Sequence, residues 1–191
     1  MKVSREQAAA NRERILDVAS KLFRERGLDG VGVADLMQAA GLTHGGFYGH
    51  FSSKEDLMAQ ACERAFANSA AKWANVCARA EGKPLAAIAK SYLSARHRDD
   101  PSSGCAVATL AVESSRHGSK VRRAIAHGVQ ALVEVLAGAI PGRNRAARRR
   151  MALASFASMV GAVVLARAVH DAELSEEILD AVAASIEAAA V

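Results

Sequence analysis

A chain of 191 residues that is 51% apolar can bury one substantial core, and with only 4% aromatic residues that core must be largely aliphatic. The 25 Lys and Arg against 20 Asp and Glu leave a net charge of +5, which suits a polyanionic partner and serves solubility equally well. Three cysteines at irregular spacing exclude a disulfide framework and a Cys-x-x-Cys zinc site, and the lack of an alternating β-branched run of strand length leaves an all-α fold.

Met1 to Gln7 reads as a polar, mildly basic lead-in without the apolar core of a secretory signal, so a cytoplasmic protein is expected. From Ala8 to Arg26, the residues Ile15, Leu16, Ala19, Leu22 and Phe23 recur at three- and four-residue steps, the stripe of an amphipathic helix. Arg12, Arg14, Lys21, Arg24 and Arg26 fall on its solvated face. Gly27 fits the residue that ends such a helix, and Gly32 with Asp35 fits the start of the next.

Val33 to Phe51 then reads as two short helices joined at Gly41, with Thr43 as cap of the second, His44–His50. A helix pair joined by a short glycine-containing turn is the helix-turn-helix pattern, whose second helix enters a DNA major groove. Gly45 and Gly46 each cost about 1 kcal/mol relative to Ala in a helix interior, so a role outside stability is indicated: close approach of backbone to another surface. Phe47 and Phe51 anchor the segment, while Tyr48 and His50 carry polar tips suited to phosphate oxygens. Ser53 caps a further helix with Asp56, and Lys54, unfavourably placed for the helix dipole, is suited to a phosphate.

The stretch GLTHGGFYGHFSSKEDL closely resembles the recognition-helix signature of the TetR family of bacterial transcription regulators, and the preceding FRERGLDGVGVADLMQAAG is similar to that family's first two helices. The resemblance implies that Thr43, His44, Gly45 and Gly46 approach base edges and that Tyr48, His50 and Lys54 hold backbone phosphates. Two positions depart from the family pattern: Val31 and Gly32 stand where Thr or Ser is frequent, and Met37, where Ala is frequent, asks for more room between the helices.

Lys54 to Arg79 reads as one long helix with Leu57, Ala61, Cys62, Ala65, Phe66, Trp73 and Cys77 on a broad apolar face, a mechanical link from the DNA end into the rest of the chain. Cys62 and Cys77 are separated by about 22 Å along such a helix and cannot pair within it. Pro84 opens another helix with Leu85, Ile88, Tyr92 and Leu93, and Asp99 to Gly104 reads as a loop. Cys105 opens CAVATLAVE; a thiol at a helix N-terminus has its thiolate stabilised, so Cys105 is either a reactive sensor or a buried core residue. The Gly-Cys start with small apolar residues and a Glu also resembles a segment of TetR-family ligand domains. Lys120 to Ile140 is an amphipathic helix in which His127 touches the interior, and the basic run Arg143 to Arg150 reads as a solvated helix start or a source of inter-subunit ion pairs.

Met151 to Ala166 is the most apolar run, shorter than a membrane span and interrupted by Ser155, Ser158 and Gly161, and reads as a buried helix. The last two helices, Ala146 to Val169 and Ser175 to Ala189, are apolar over more of their circumference than a monomer surface tolerates. Small residues such as Ala154, Ala157, Ser158 and Gly161 allow a second helix to approach, and GAVVLARAVHDAELSEEIL is similar to TetR-family dimerisation helices. A homodimer through these helices is expected.

The expectation is an all-α protein of about nine helices, with a three-helix helix-turn-helix DNA-binding domain over 1–53 and a helical ligand-sensing and dimerisation domain over 54–191. The function expected is a dimeric regulator, a repressor released from a near-palindromic double-stranded operator by a small-molecule effector or a thiol modification. Phe66, Trp73, Tyr92, Cys105 and Met159 are the candidate ligand pocket, chosen as large, aromatic or soft residues. No nucleophile–base–orienter set, cofactor motif, metal-ligand spacing or membrane anchor is recognisable, so an enzyme is not expected. The alternatives are a helical small-molecule binder without DNA and a transcription activator.

Overall fold

Ser4 Oγ accepts the Gln7 amide at 3.1 Å and so starts the first helix, α1 (Arg5–Arg26), inside the stretch expected as a lead-in. The computed structural model describes residues 4–189, so the first three residues of that lead-in lie outside it. Eight further helices follow: α2 (Val33–Ala39), α3 (Lys54–Arg79), α4 (Pro84–Tyr92), α5 (Ala95–Asp99), α6 (Ala106–Ser114), α7 (Ser119–Ala139), α8 (Arg145–Ala168) and α9 (Ala172–Ala189). Two short 3-10 turns, His44–Gly49 and Pro101–Ser103, complete the regular structure, and no strand occurs among the described residues.

The long helix α3 organises the rest, packing on α1 toward the N-terminal head and along α7 in the bundle. At the α3–α7 crossing the Phe66 ring fills the space over Gly128, where an added Cβ would lie 2.1 Å from ring carbons. Around this pair, α4, α8 and α9 close the bundle, and one continuous apolar cluster runs from Ile15 and Phe23 through Phe47, Leu57 and Leu132 to Ile186.

Several expectations are corrected by packing. The reading segment is a 3-10 turn, shorter than the expected helix, and the Thr43 side chain makes no capping bond to it. Arg24, expected in solvent, is 8% exposed, because Ser20 Oγ and the Ser102 carbonyl accept its guanidinium N–H groups. His127 is exposed rather than inward. Asp99 to Gly104, expected as a loop, contains the end of α5 and the second 3-10 turn, which Asp100 caps through Ser103. The last helix starts at Ala172, before Ser175; that serine is buried and its hydroxyl donates to the Ala166 carbonyl at 2.8 Å, joining α8 to α9. Helix α8 begins at Arg145 and, at 24 residues, is long and apolar enough by length to cross a bilayer. Here it packs Ala152, Phe156, Met159 and Val163 into the protein core.

Candidate nucleic-acid interface and the cavity behind it

The head is held from within by aromatic packing. Phe47 and Phe51 are buried with ring centroids 5.8 Å apart, Tyr48 meets Phe47 edge-on at 5.2 Å, and Arg12 sits 5.0 Å over the Phe51 ring. Gly41, at φ +70°, makes the turn from α2 by a backbone conformation that side chains disfavour. Met37 is fully buried, and its methyl lies 3.6 Å from where a Gly46 Cβ would be, an ordinary van der Waals contact, so Met37 fits between the helices without demanding glycine at position 46.

What this scaffold presents outward is a polar ridge. Thr43, His44 and Gly45 are exposed, Tyr48 is 72% exposed, and His50 and Lys54 are half-buried at the far end. A Cβ at Gly45 or Gly49 would meet nothing within 4 Å among the described residues, so none of them demands glycine there. Lys54, at the first turn of α3, has no carboxylate partner among the described residues. Its helix is capped by Ser53, whose Oγ accepts the Asp56 amide at 3.1 Å, while the Asp56 carboxylate reaches back to Ser52.

Two polar fastenings join this head to the bundle. The Glu113 carboxylate, at the end of α6, accepts the amides of Leu28 and Asp29 at 2.8 Å each, at the loop that leaves α1. The Arg24 Nε donates to the Ser102 carbonyl at 2.7 Å, in the segment between α5 and α6. Neither contact spans fewer than 78 residues of sequence, and neither residue type announces its partner in a linear reading. The only foreshadowing is the Glu that closes CAVATLAVE and the Ser20–Arg24 spacing on one helical face.

Behind the fastenings lies a cavity of about 400 Å³ between α3, α4 and the α5–α6 segment. Of the five candidate pocket residues, Trp73, Tyr92 and Cys105 line it. Phe66 lies instead against Gly128, and Met159 is fully buried in α8, so the cavity gathers neither. Sequence reading did not find His97. Its Nδ1 faces the Tyr92 carbonyl at 2.7 Å and its Nε2 the Cys105 amide at 2.9 Å, so the ring is a neutral Nδ1–H tautomer that donates to the first and accepts from the second. Burial lowers its pKa, helped by the positive charges of Arg167 and Lys72.

Cys105 occupies the N-cap position of α6, and the amides of Val107 and Ala108 favour its thiolate, yet burial outweighs them and raises the thiol's pKa. Burial also pushes Cys62 up to about 12. The helix-terminus argument therefore has the right sign at Cys105 and loses to desolvation. Leu153, Val164 and Leu165 of α8 and Leu174 of α9 are exposed, as are Ala154, Ala157 and Ser158, an apolar set that the described residues leave uncovered.

A glycine-bearing, aromatic-anchored helix-turn-helix fastened to an all-helical bundle defines a helix-turn-helix protein with a separate helical domain. The comparisons with known proteins are specific. The family model of the bacterial regulatory proteins of the tetR family matches residues 15–61, and that of the LmrA/YxaF-like transcriptional regulator C-terminal domain matches residues 82–185. The chain belongs to the TetR family. It is similar to the regulator AcrR of Shigella flexneri, 32% identical over 85 residues that make up 44% of this chain and 40% of the relative. The repressor DhaR of Mycobacterium sp. strain GP1 is 28% identical over 111 residues, 58% of this chain and 56% of that protein. The matches thus span less than two thirds of these curated relatives' length. Among solved structures, a TetR-family regulator from Cytophaga hutchinsonii matches with a TM-score of 0.80 at 18% identity, covering 100% of this chain and 98% of that one. The reduced form of E. coli NemR matches with a TM-score of 0.76 at 24% identity over 93% and 95% of the two chains. At these identities the likeness is one of fold.

Proposed function

We propose that the protein is a cytoplasmic, homodimeric, sequence-specific DNA-binding repressor whose bundle senses a small molecule. The observation that carries this reading is the outward ridge: two glycines, Gly45 and Gly49, that nothing among the described residues requires, set among exposed Thr43, His44 and Tyr48 on an anchored helix-turn-helix. Glycine without an internal reason suits a surface that another backbone or a base edge must approach closely. Tyr48, His50 and Lys54 then hold phosphates at the sides of the groove. The reading head corresponds to residues 1–53, with α3 onward as the sensing and dimerisation domain.

The uncovered apolar set on α8 and α9 supports a two-fold dimer, which would set two reading turns about one DNA turn apart, roughly 34–36 Å, on a near-palindromic operator. Release follows from the fastenings. A ligand in the cavity acts on the segment that bears Ser102 and Glu113, and through Arg24 and the Leu28–Asp29 amides on α1, so that head spacing changes together with α3. Moving the operator from nearly full to nearly empty requires the ligand to prefer the released state by about 5.5 kcal/mol. A small ligand accounts for this better than thiol modification, because burial keeps Cys105 protonated.

The test is selection of bound duplexes from a random pool at two salt concentrations, with the oligomeric state measured in parallel. The expected result is a palindrome with half-sites one turn apart, bound by a dimer with a steep negative salt slope. Weak, salt-sensitive binding with no preferred sequence would refute the reading.

A further inference from the structure

The cavity behind Trp73 opens into a second one, about 330 Å³, and the two share Ser69, Lys72, Asn75, Ser103 and Gly104. Lys21, Arg24, Lys72, Arg79 and Arg96 line the joined space and no Asp or Glu does, nor is any of the five paired with a carboxylate among the described residues. Five cations around one concavity whose lining holds no carboxylate is not the mixed-sign pattern of an ordinary solvated face. Arg24 sharpens the point, since a guanidinium that is 8% exposed and satisfied only by neutral oxygens gains from an anion nearby.

A second observation lies at the inner end. The Tyr92 hydroxyl belongs to a residue only 4% exposed, has no oxygen or nitrogen partner among the described residues, and has only the Cys105 thiol, a weak acceptor, beside it. Buried hydroxyls in folded proteins nearly always find a partner, so one left with a thiol alone in a cavity wall points to an acceptor brought by a ligand. Between the cations and this hydroxyl, the Trp73 indole and the Val76 side chain form an apolar wall, with Trp73 fixed edge-on to Tyr92 and to Phe156 at 5.8 Å in each case.

From these features we propose that the joined cavity binds a small organic anion with a flat apolar body, a carboxylate on an aromatic or similarly planar skeleton. The carboxylate lies toward Lys72, Arg79 and Arg96, the body lies against Trp73, and an acceptor atom at the far end receives a hydrogen bond from the Tyr92 hydroxyl. Binding is reversible, since the protonated Cys105 thiol is a neighbour and not a nucleophile. The volume is that of a ligand of one or two fused rings. The inference rests on reading the bundle as the sensing domain, and it adds a route for the signal. Arg24 belongs to α1, the helix that carries the head, so an anion drawn to that guanidinium competes with the Ser102 carbonyl for its N–H groups.

The test is calorimetric titration of the full chain with three molecules of one shape, each with a methoxy oxygen as acceptor at the end opposite the variable group: 6-methoxy-2-naphthoate, the neutral 6-methoxy-2-naphthamide and the cationic 6-methoxy-2-naphthylmethylammonium. The anion should bind about tenfold or more tightly than the amide, and the cation most weakly. In a Lys72→Gln, Arg96→Gln double variant, both positions exposed, the acid-over-amide preference should fall to about threefold or less while amide affinity holds. Tyr92→Phe should weaken the acid and the amide alike with little change in the melting temperature of the empty protein, because the hydroxyl it removes has only the weakly accepting Cys105 thiol beside it. Equal affinity for acid and amide, an unchanged preference in the double variant, or no binding of any of the three at millimolar concentration would overturn the proposal. Operator release separates this from the function above. If the methoxynaphthoate binds as described but leaves operator affinity unchanged, the site stands and the sensing role fails. If another compound releases the operator while the methoxynaphthoate does not bind, the sensing role stands and the anion site fails.

Discussion

Gly45 in the reading turn and Gly128 in α7 occupy regular helical backbone, yet a methyl group added at the first meets nothing within 4 Å, while at the second it falls 2.1 Å from the Phe66 ring. In the bundle, glycine is demanded by the chain's own packing, because Phe66 of α3 lies on the α7 backbone. At Gly45 it is demanded by nothing among the described residues. The difference separates residues that build the protein from residues that serve its surroundings, and the same contrast recurs in the polar groups. Glu113 and Arg24 spend their polar groups inside the protein, on backbone and on Ser20 Oγ, whereas Thr43, His44 and Tyr48 are exposed to solvent.

The largest effect that would break this contrast is at Gly128. Gly128→Ala should destabilise the whole chain by about 3 kcal/mol, because the ring carbons of Phe66 and the α7 backbone cannot separate without opening the α3–α7 crossing. Thermal unfolding should show it, and adding Phe66→Leu should recover part of the loss. A stable Gly128→Ala protein would mean that the crossing is looser than the packing implies.

Glu113→Gln comes next. An amide keeps one accepting oxygen and turns an NH₂ toward the second backbone amide, so one of Leu28 N–H and Asp29 N–H loses its partner, a loss of about 2 kcal/mol. Denaturant unfolding measures that loss. The sharper readout is coupling: any compound that releases the operator from the native protein should release it less effectively from this variant, at unchanged ligand affinity. Full release with intact stability would remove Glu113 from the link between bundle and head.

Gly45→Ala inverts the Gly128 result. Alanine is favoured over glycine in helical backbone by roughly 0.5–1 kcal/mol, and Gly45 has no positive φ to protect, so the melting temperature should hold or rise. Operator affinity should nevertheless fall by about tenfold or more, near 1.4 kcal/mol, in a competition titration at fixed salt. An alanine variant that binds normally would show that the turn does not approach DNA at this residue.

How much of this was legible beforehand follows the same division. The helices were readable because apolar periodicity is local: α3 runs from Lys54 to Arg79 as its stripe indicates, and Pro84 opens α4. The outward ridge was readable because glycine, tyrosine and histidine in a short turn have no better local use. Residues whose roles depend on partners far along the chain were not readable. Arg24 sits among arginines that look alike in sequence, and only the Ser102 carbonyl, 78 residues away, distinguishes it. Phe66 looked as suitable for a pocket as Trp73, and it was Gly128 across the bundle that claimed it. Cys105 was placed correctly at a helix start, but the sign of its pKa depends on burial, which periodicity does not report.

The smallest expected effect concerns His97, and its sign follows from the cavity wall. Burial, with Arg167 and Lys72 nearby, holds its pKa below the ordinary value of about 6.5, while the Tyr92 carbonyl and Asp100 oppose the shift without cancelling it. The folded protein therefore keeps the ring neutral at a pH where the unfolded chain takes up a proton, so the unfolded state binds more protons and stability rises with pH across that window. Above the unfolded value the two states carry the same ring charge and the slope vanishes; as pH falls from about 7 toward 5, the stability tied to the neutral ring is lost. Protonation at Nε2 would also turn a donor toward the Cys105 amide, which now donates to that nitrogen at 2.9 Å, so the start of α6 should loosen as the ring charges. Unfolding measured at steps between pH 7.5 and 5 should show the decline in the native protein and a flatter profile in His97→Gln, whose side chain offers both a donor and an acceptor without titrating. Equal slopes in the two proteins would place the acid sensitivity outside the cavity wall and leave His97 as a fixed strut between α4 and α6.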